Sequence, residues 1–229
     1  LDCCTGFDLW DRFDHAEAWF YLQDYLKNPQ LRETIFFLKR VMGSREALAP
    51  ATDDDFTAPE SMKNHGYEIV EDVLLNAERR AKLARYDDAV ARLYRALELL
   101  EQVQLWKAYK IKTSDVELEK LPESIRPQYE TLKSSSGKIE ISLFKAYNLL
   151  KEFPDDPIGQ LFEDSQNRIK NVLKTRNFSI LAHGLCPVTE ADYRNLETVI
   201  VPFIRDAIAS VISPKSSPPV LLPQDWLFL

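Results

Sequence analysis

Two residues late in the chain, Arg176 and His183, carry side chains that together suit the cleavage of a phosphodiester. A guanidinium binds phosphate through a fork of N–H donors, and an imidazole exchanges protons near neutral pH. Asn177 follows the arginine, and Gly184, a residue type that commonly ends helices, follows the histidine. Seven positions are close to two helical turns, so a continuous helix would place Arg176 and His183 on one face about 10 Å apart along its axis.

A basic strip surrounds this pair in a chain that is acidic as a whole. No Asp or Glu occurs between positions 165 and 189, and the strip consists of Arg168, Lys170, Lys174 and Arg176. The complete chain has 29 Lys and Arg against 36 Asp and Glu. This balance argues against coating of nucleic acid by bulk charge, whereas a focused patch is compatible with RNA. We predict that Lys174, Arg168 and Lys170 hold an RNA backbone if they share one side of their helix.

The element that must position the pair is a long amphipathic helix predicted from Pro157 to His183. Its apolar residues recur near helical spacing at Leu161, Phe162, Ile169, Val172, Leu173, Ile180 and Leu181. Similar patterns predict helices over residues 60–83, 86–112, 139–153 and 189–211, with Asp87 or Asp88 as the cap of the second of these. The sequence therefore predicts an all-α fold.

The N-terminal part reads as a helical hairpin, with one helix from Leu9 to Leu26 and a second from Pro29 to Met42. Two prolines and three consecutive aspartates follow within residues 47–59, which is typical of a linker. We therefore expect an N-terminal hairpin over residues 1–48 and a second domain over residues 49–229. Since the chain begins with Leu1, it is expected to be a piece of a longer protein.

The composition sets the expected compartment. Three cysteines, two of them adjacent, cannot form a disulfide framework, and the chain has no apolar run of about 18 residues and no cleavable signal. A cytoplasmic protein without a membrane segment is expected. Cys3, Cys4 and His15 fit no common zinc spacing, and Asp53, Asp54 and Asp55 lack further ligands at fixed offsets, so neither a metal nor another cofactor is predicted.

A family resemblance rests on two segments. Residues 176–183, RNFSILAH, resemble the Arg-x(4 to 6)-His motif of HEPN ribonucleases, in which a polar residue follows the arginine. Residues 85–95, RYDDAVARLYR, add to the likeness. Together they look like CRISPR-associated proteins that join an N-terminal CARF sensor domain to a C-terminal HEPN effector, over most of residues 67–201. The resemblance implies a helical bundle of HEPN type after the N-terminal hairpin, with the CARF domain absent from this chain.

The same resemblance implies a metal-independent endoribonuclease that cleaves single-stranded RNA through attack of the 2′-hydroxyl. Arg176 would hold the phosphate, His183 would act in proton transfer or orient the ribose hydroxyl, and Asn177 would position one of them. It also implies a homodimer with a composite active site and activation by a cyclic oligoadenylate through the missing CARF domain.

Two other interpretations stay open. An Arg and a His two turns apart arise often by chance and commonly form surface salt bridges or caps. The chain would then be a non-catalytic helical module, because segments such as residues 85–91 and 12–18 look like the central turn of a tetratricopeptide repeat, which binds proteins. A degenerate HEPN domain that binds RNA without cutting it is the other possibility.

Overall fold

In a computed structural model of the chain, residues 2–48, 64–177 and 185–223 are described, apart from the side chains of residues 175–177. These residues form helices and connecting turns and contain no strand, which confirms the all-α prediction. None of the described helices is long and apolar enough to cross a membrane. The α-helices of this part of the chain are α1 (Asp2–Asp11), α2 (His15–Leu22), α3 (Arg32–Leu48), α4 (Glu68–Lys82), α5 (Tyr86–Tyr109), α6 (Arg126–Glu130), α7 (Leu143–Lys151), α8 (Pro157–Asn177) and α9 (Glu190–Val211).

The chain divides into two compact units. The first comprises Leu1–Asn76 with Lys215–Leu229, and the second comprises Ala77–Pro214, so the division falls within α4. The boundary predicted after residue 48 lies at the edge of the described range and stays a prediction. Most of the predicted linker, residues 49–59, is outside the described residues.

In the first unit, the predicted helix from Leu9 to Leu26 is wrong, because the chain breaks at Phe13. This residue has a φ of 65°, a left-handed conformation that cannot continue an α-helix. The side chain of Asp14 then accepts a hydrogen bond from the backbone N–H of Glu17 at 3.3 Å and so caps α2. The N-terminal part therefore has three α-helices, α1 to α3, where a two-helix hairpin was expected.

A buried carboxylate holds α1 and α2 onto the start of α4 in this unit. Asp72 accepts a hydrogen bond from Trp10 Nε1 at 3.0 Å, and its second oxygen lies 3.0 Å from His15 Nε2. All three side chains are buried. Because the side chain of His15 is engaged in this pair, the residue has a structural role here.

In the second unit, α5, α7, α8 and α9 pack on one another around an aromatic core. The rings of Tyr147 and Phe162 are stacked with centroids 4.5 Å apart, and Phe203 lies 5.8 Å from Tyr147 in an edge-on arrangement. The buried hydroxyl of Tyr147 donates to the backbone carbonyl of Leu97 at 2.8 Å. Residues from all four helices thus contribute to one core, which fixes α8 against its three neighbours.

The start of α8 is set by Asp156, in agreement with the prediction that Asp155 or Asp156 begins this helix. Asp156 Oδ1 accepts from the backbone N–H of Gly159 at 2.7 Å, and its second oxygen accepts from Tyr109 Oη at 2.9 Å. The carboxylate is buried and also accepts from Gln104 Nε2. The helix N-terminus is therefore fixed by a charged group with several donors.

Candidate functional site

The C-terminal end of α8 carries the first part of the predicted motif. The backbone of Arg176 and Asn177 forms the last helical residues of α8, and their side chains are not described. Position 176 follows Ile169, Val172 and Leu173 by seven, four and three residues, and all three are buried. Residues at these spacings share one side of an α-helix. Position 176 therefore continues the side of α8 that packs in the core.

His183 lies outside the described residues, as do residues 178–184 as a whole. The described part of the predicted helix ends at Asn177, close to the expected course from Pro157. The alignment of Arg176 and His183 along two further turns stays a prediction.

The basic strip does not lie along one line of α8. Lys170 and Lys174 are four residues apart and share a side, whereas Arg168 precedes Lys170 by two residues and is turned from it by about 200°. Each side chain is exposed and has a local contact. Lys170 Nζ lies 5.6 Å from the centre of the Phe144 ring, Lys174 donates to Asn171 at 3.3 Å, and Arg168 donates to Ser165 at 3.4 Å. The positive charge thus flanks the buried side of α8 on both edges.

The described chain resumes at Leu185 and is fixed within a few residues. The backbone N–H of Val188 donates to Asp87 Oδ1 at 3.0 Å, and the N–H of Thr189 donates to Asp192 Oδ2 at 3.0 Å. The N–H of Asp192 donates to the hydroxyl of Thr189 at 3.2 Å, which completes a capping box at the start of α9. Hydrogen bonds to Thr189 lower the pKa of Asp192 and so favour its charged form. The chain after the predicted motif therefore enters α9 from a defined position.

Tyrosines and carboxylates surround this entry point. The rings of Tyr86 and Tyr193 lie 6.0 Å apart. Burial raises the pKa of Tyr86, and a hydrogen bond with Glu190 raises it further. Arg194 pairs with Glu197 at 2.8 Å and with Glu190 at 3.6 Å. Since the acidic groups here outnumber the basic ones, the positive charge near the motif comes from α8.

Asp87 is the residue of this region whose role the sequence did not reveal. A cap for α5 was expected from Asp87 or Asp88, but the N-cap residue of α5 is Arg85 and makes no side-chain capping bond. Asp88 pairs with Arg92 on the same helix at 3.1 Å, whereas Asp87 bonds to a residue 101 positions away. The resemblance over residues 85–95 marked this segment, but not the partner of Asp87.

The remaining candidates contribute no second site in the described part of the chain. These residues contain no group of three or more metal-ligating side chains. Cys3 is buried, Cys186 is exposed, and His15 pairs with Asp72. Asp53, Asp54 and Asp55 lie outside the described range.

The fold and the candidate site define a class of protein: an all-α domain in which a basic helix leads into an Arg-Asn and a following His. The Csm6 HEPN domain family matches residues 58–206, more than half of the chain, and the chain belongs to this family. It is accordingly a HEPN domain of a CRISPR-associated family. No curated protein and no solved structure matches the chain.

Proposed function

We propose that this chain is the effector part of a metal-independent endoribonuclease that cleaves single-stranded RNA in CRISPR antiviral defence. The observation that carries the proposal is the location of Arg176, Asn177 and His183. They lie within the residues matched by the Csm6 HEPN family, where α8 brings a strip free of carboxylates into the motif. HEPN domains generally act as ribonucleases, which supports the assignment of the reaction class.

The proposed reaction needs no group beyond protein side chains and RNA. The ribose 2′-oxygen loses its proton and forms a bond to the adjacent phosphorus, while the bond from phosphorus to the 5′-oxygen of the next nucleotide breaks. That oxygen takes up a proton, leaving a cyclic phosphate and a 5′-hydroxyl. Arg176 would stabilise the negative charge that builds on the phosphate, and His183 would transfer a proton or orient the 2′-hydroxyl. Asn177 would position one of the two.

Lys170, Lys174 and Arg168 are proposed to bind the phosphates that flank the scissile bond. Their exposure on α8 supports this role. Because they lie on two edges of the helix, the strand would contact Lys170 and Lys174 on one side of the motif and Arg168 on the other.

Assembly and control are proposed by analogy with the CARF-HEPN proteins. Two copies of the chain would form a homodimer with one composite active site. A cyclic oligoadenylate would act through a CARF domain that is not part of this chain. A cytoplasmic location suits an enzyme whose substrate is intracellular RNA.

The first test is cleavage of labelled single-stranded RNA in the presence of EDTA. Arg176→Ala and His183→Ala are each expected to lower kcat by about a hundred-fold or more, as for loss of a group that stabilises transition-state charge. Arg12→Ala is the matched control, since Arg12 is an exposed arginine that pairs only locally with Asp8 in the printed contacts of the first unit. The products should carry a cyclic phosphate and a 5′-hydroxyl, and a 2′-deoxy substitution at the cut site should block cleavage there.

Three results would contradict the proposal. Cutting that persists in both variants would place the activity elsewhere, and cutting of the 2′-deoxy site would exclude attack by the 2′-hydroxyl. RNA binding without cleavage, by both this chain and the full-length protein with a cyclic oligoadenylate, would favour the non-catalytic module.

A further inference from the structure

Asp87 uses its carboxylate for a contact between distant parts of the second unit. It is the second residue of α5, yet its Oδ1 accepts from the backbone N–H of Val188 at 3.0 Å. The side chain of Asp87 is partly buried and Val188 is buried. A backbone N–H that is withdrawn from water needs a partner, so the carboxylate satisfies a donor that the local chain leaves open.

This hydrogen bond adds to two other constraints on the chain that leads into α9. The next N–H, that of Thr189, is bound by Asp192, so two consecutive peptide N–H groups are each held by a carboxylate. Pro187 has a fixed φ and also disfavours the helical region for Cys186 before it. The direction of the backbone is therefore restricted from Thr189 back to Cys186, which is three residues after His183.

We propose that Asp87 is a positioning residue of the candidate nuclease site. The inference rests on the function proposed above. The segment that contains His183 connects the end of α8 to Val188. The core packing of α8 fixes its first end, and Asp87 fixes the orientation of its second end through the Val188 N–H. Fixing both ends reduces the conformations open to the segment and so favours those in which His183 is placed for catalysis.

The role depends on a hydrogen-bond acceptor and not on charge, which allows a matched set of variants. Asp87→Ala removes the acceptor. Asp87→Asn keeps an oxygen at the same position without the charge and should rescue function. Asp88→Ala is the control, because Asp88 precedes Ala89 on the same turn and pairs with Arg92 within α5.

Histidine NMR reads the position of His183 without relying on activity. The chain has three histidines, and His15 and His65 both belong to the first unit. With histidine ring carbons labelled in the whole chain, His183→Ala identifies the resonance of His183 by its loss. Asp87→Ala is expected to shift that resonance and leave those of His15 and His65 in place. Asp87→Asn and Asp88→Ala should leave all three unchanged.

Kinetics supply the second measurement. In an RNA-cutting protein, Asp87→Ala should lower kcat by about ten- to a hundred-fold, as expected for a small misplacement of a catalytic group. KM should change little, because Lys170, Lys174 and Arg168 remain. Should Asp87→Ala not fold, Asp87→Glu replaces it, since this variant keeps the charge but moves the acceptor by one methylene. It should likewise lower kcat and shift the resonance of His183.

The outcomes separate this inference from the proposed function. An unchanged His183 resonance in both Asp87→Ala and Asp87→Glu would overturn the positioning role, whether or not the protein cuts RNA. A kcat that falls equally in Asp87→Asn and Asp87→Ala would also overturn it, because charge would then be the cause. Failure of every version to cut RNA contradicts the nuclease proposal alone, and the histidine spectrum still decides whether Asp87 positions the segment.

Discussion

Gly159 of α8 lies directly against the backbone carbonyl of Leu150 in α7. A Cβ added at Gly159 would stand 2.5 Å from that oxygen and 2.6 Å from its carbon. These are backbone atoms, so a side chain cannot rotate to make room. The close approach of α7 and α8 therefore requires glycine at this position, and it helps to fix the helix that leads to Arg176.

Substituting Gly159 by Ala should destabilise the protein by about 1–3 kcal/mol or more, the range found when extra volume is forced into a packed site. The two helices would have to separate or α8 would have to shift. Urea unfolding followed by circular dichroism measures the change. Asn167→Ala, at an exposed position of α8, is the control and should stay within about 0.5 kcal/mol of wild type. Equal stability of the two variants would show that the contact is easily relieved.

Ala84 should be better replaced by glycine. The residue has a φ of 57° in the turn after α4, where Arg85 N–H donates to the carbonyl of Arg80 at 3.0 Å and Ala84 N–H donates to that of Ala81 at 2.9 Å. This is a Schellman arrangement, in which glycine is the usual residue. Relief of the left-handed strain, about 1–2 kcal/mol, exceeds the extra entropy of glycine in the unfolded chain, about 0.4–1 kcal/mol.

Thermal unfolding should therefore show a melting temperature about 1–3 °C higher for Ala84→Gly than for wild type. Ala81→Gly is the matched control within the last turn of α4, and it should be less stable than wild type by about 1 kcal/mol. A lower melting temperature for Ala84→Gly would mean that the entropy of the unfolded chain dominates.

Glu101 should make stability depend on pH. Its carboxylate is buried in the second unit, and within the described residues its Oε2 has no hydrogen-bond partner. Burial raises the pKa of Glu101 well above its usual value, with a further increase from nearby Glu98. The unfolded chain then loses this proton at a lower pH than the folded one. Stability from Glu101 is therefore present below its ordinary pKa of about 4.5 and is lost as pH rises through the raised value.

The Glu101→Gln variant cannot titrate at this position and isolates the effect. The stability of the variant relative to wild type should increase between pH 5 and pH 8, by roughly 1.4 kcal/mol for each pH unit between the unfolded and folded pKa values. Any constant cost of burying the amide cancels in this comparison of two pH values. Glu140→Gln, at an exposed position, should show no such trend. A parallel pH dependence of wild type and Glu101→Gln would contradict the prediction.

Lys170 and Lys174 should bind RNA as a unit. They share one side of α8, so replacing both by alanine should weaken RNA binding and reduce the slope of log affinity against log salt by about 0.7 for each lost phosphate contact. Binding is measured by fluorescence anisotropy with the His183→Ala variant to prevent cleavage. Lys145→Ala is the control, an exposed lysine of α7 outside the basic strip.

Arg168 provides a further check on this geometry. Because it lies on the other edge of α8, the loss of binding free energy for Arg168→Ala should add to that of the double lysine variant within about 0.5 kcal/mol. Strong non-additivity would indicate that the three residues contact one phosphate group together.

The sequence alone predicted those parts of the fold that depend on neighbouring residues. Apolar periodicity indicated α5, α8 and α9 close to their observed bounds, and the Thr189-x-x-Asp192 pattern placed the start of α9. These features are local, because helical spacing and capping need only residues within a few positions of each other. The Arg176–His183 motif was likewise visible in the sequence, and its catalytic role remains a prediction.

Only the tertiary structure decided which distant groups meet. It broke the expected first helix at Phe13, gave Asp87 a partner 101 residues away in place of a local cap, and placed Gly159 against Leu150. The likeness between residues 12–18 and 85–91 held a signal for the break, since both segments form turns between helices. The identity of the partners is not encoded in any short segment, because it depends on how the helices pack and on which backbone donors that packing removes from water.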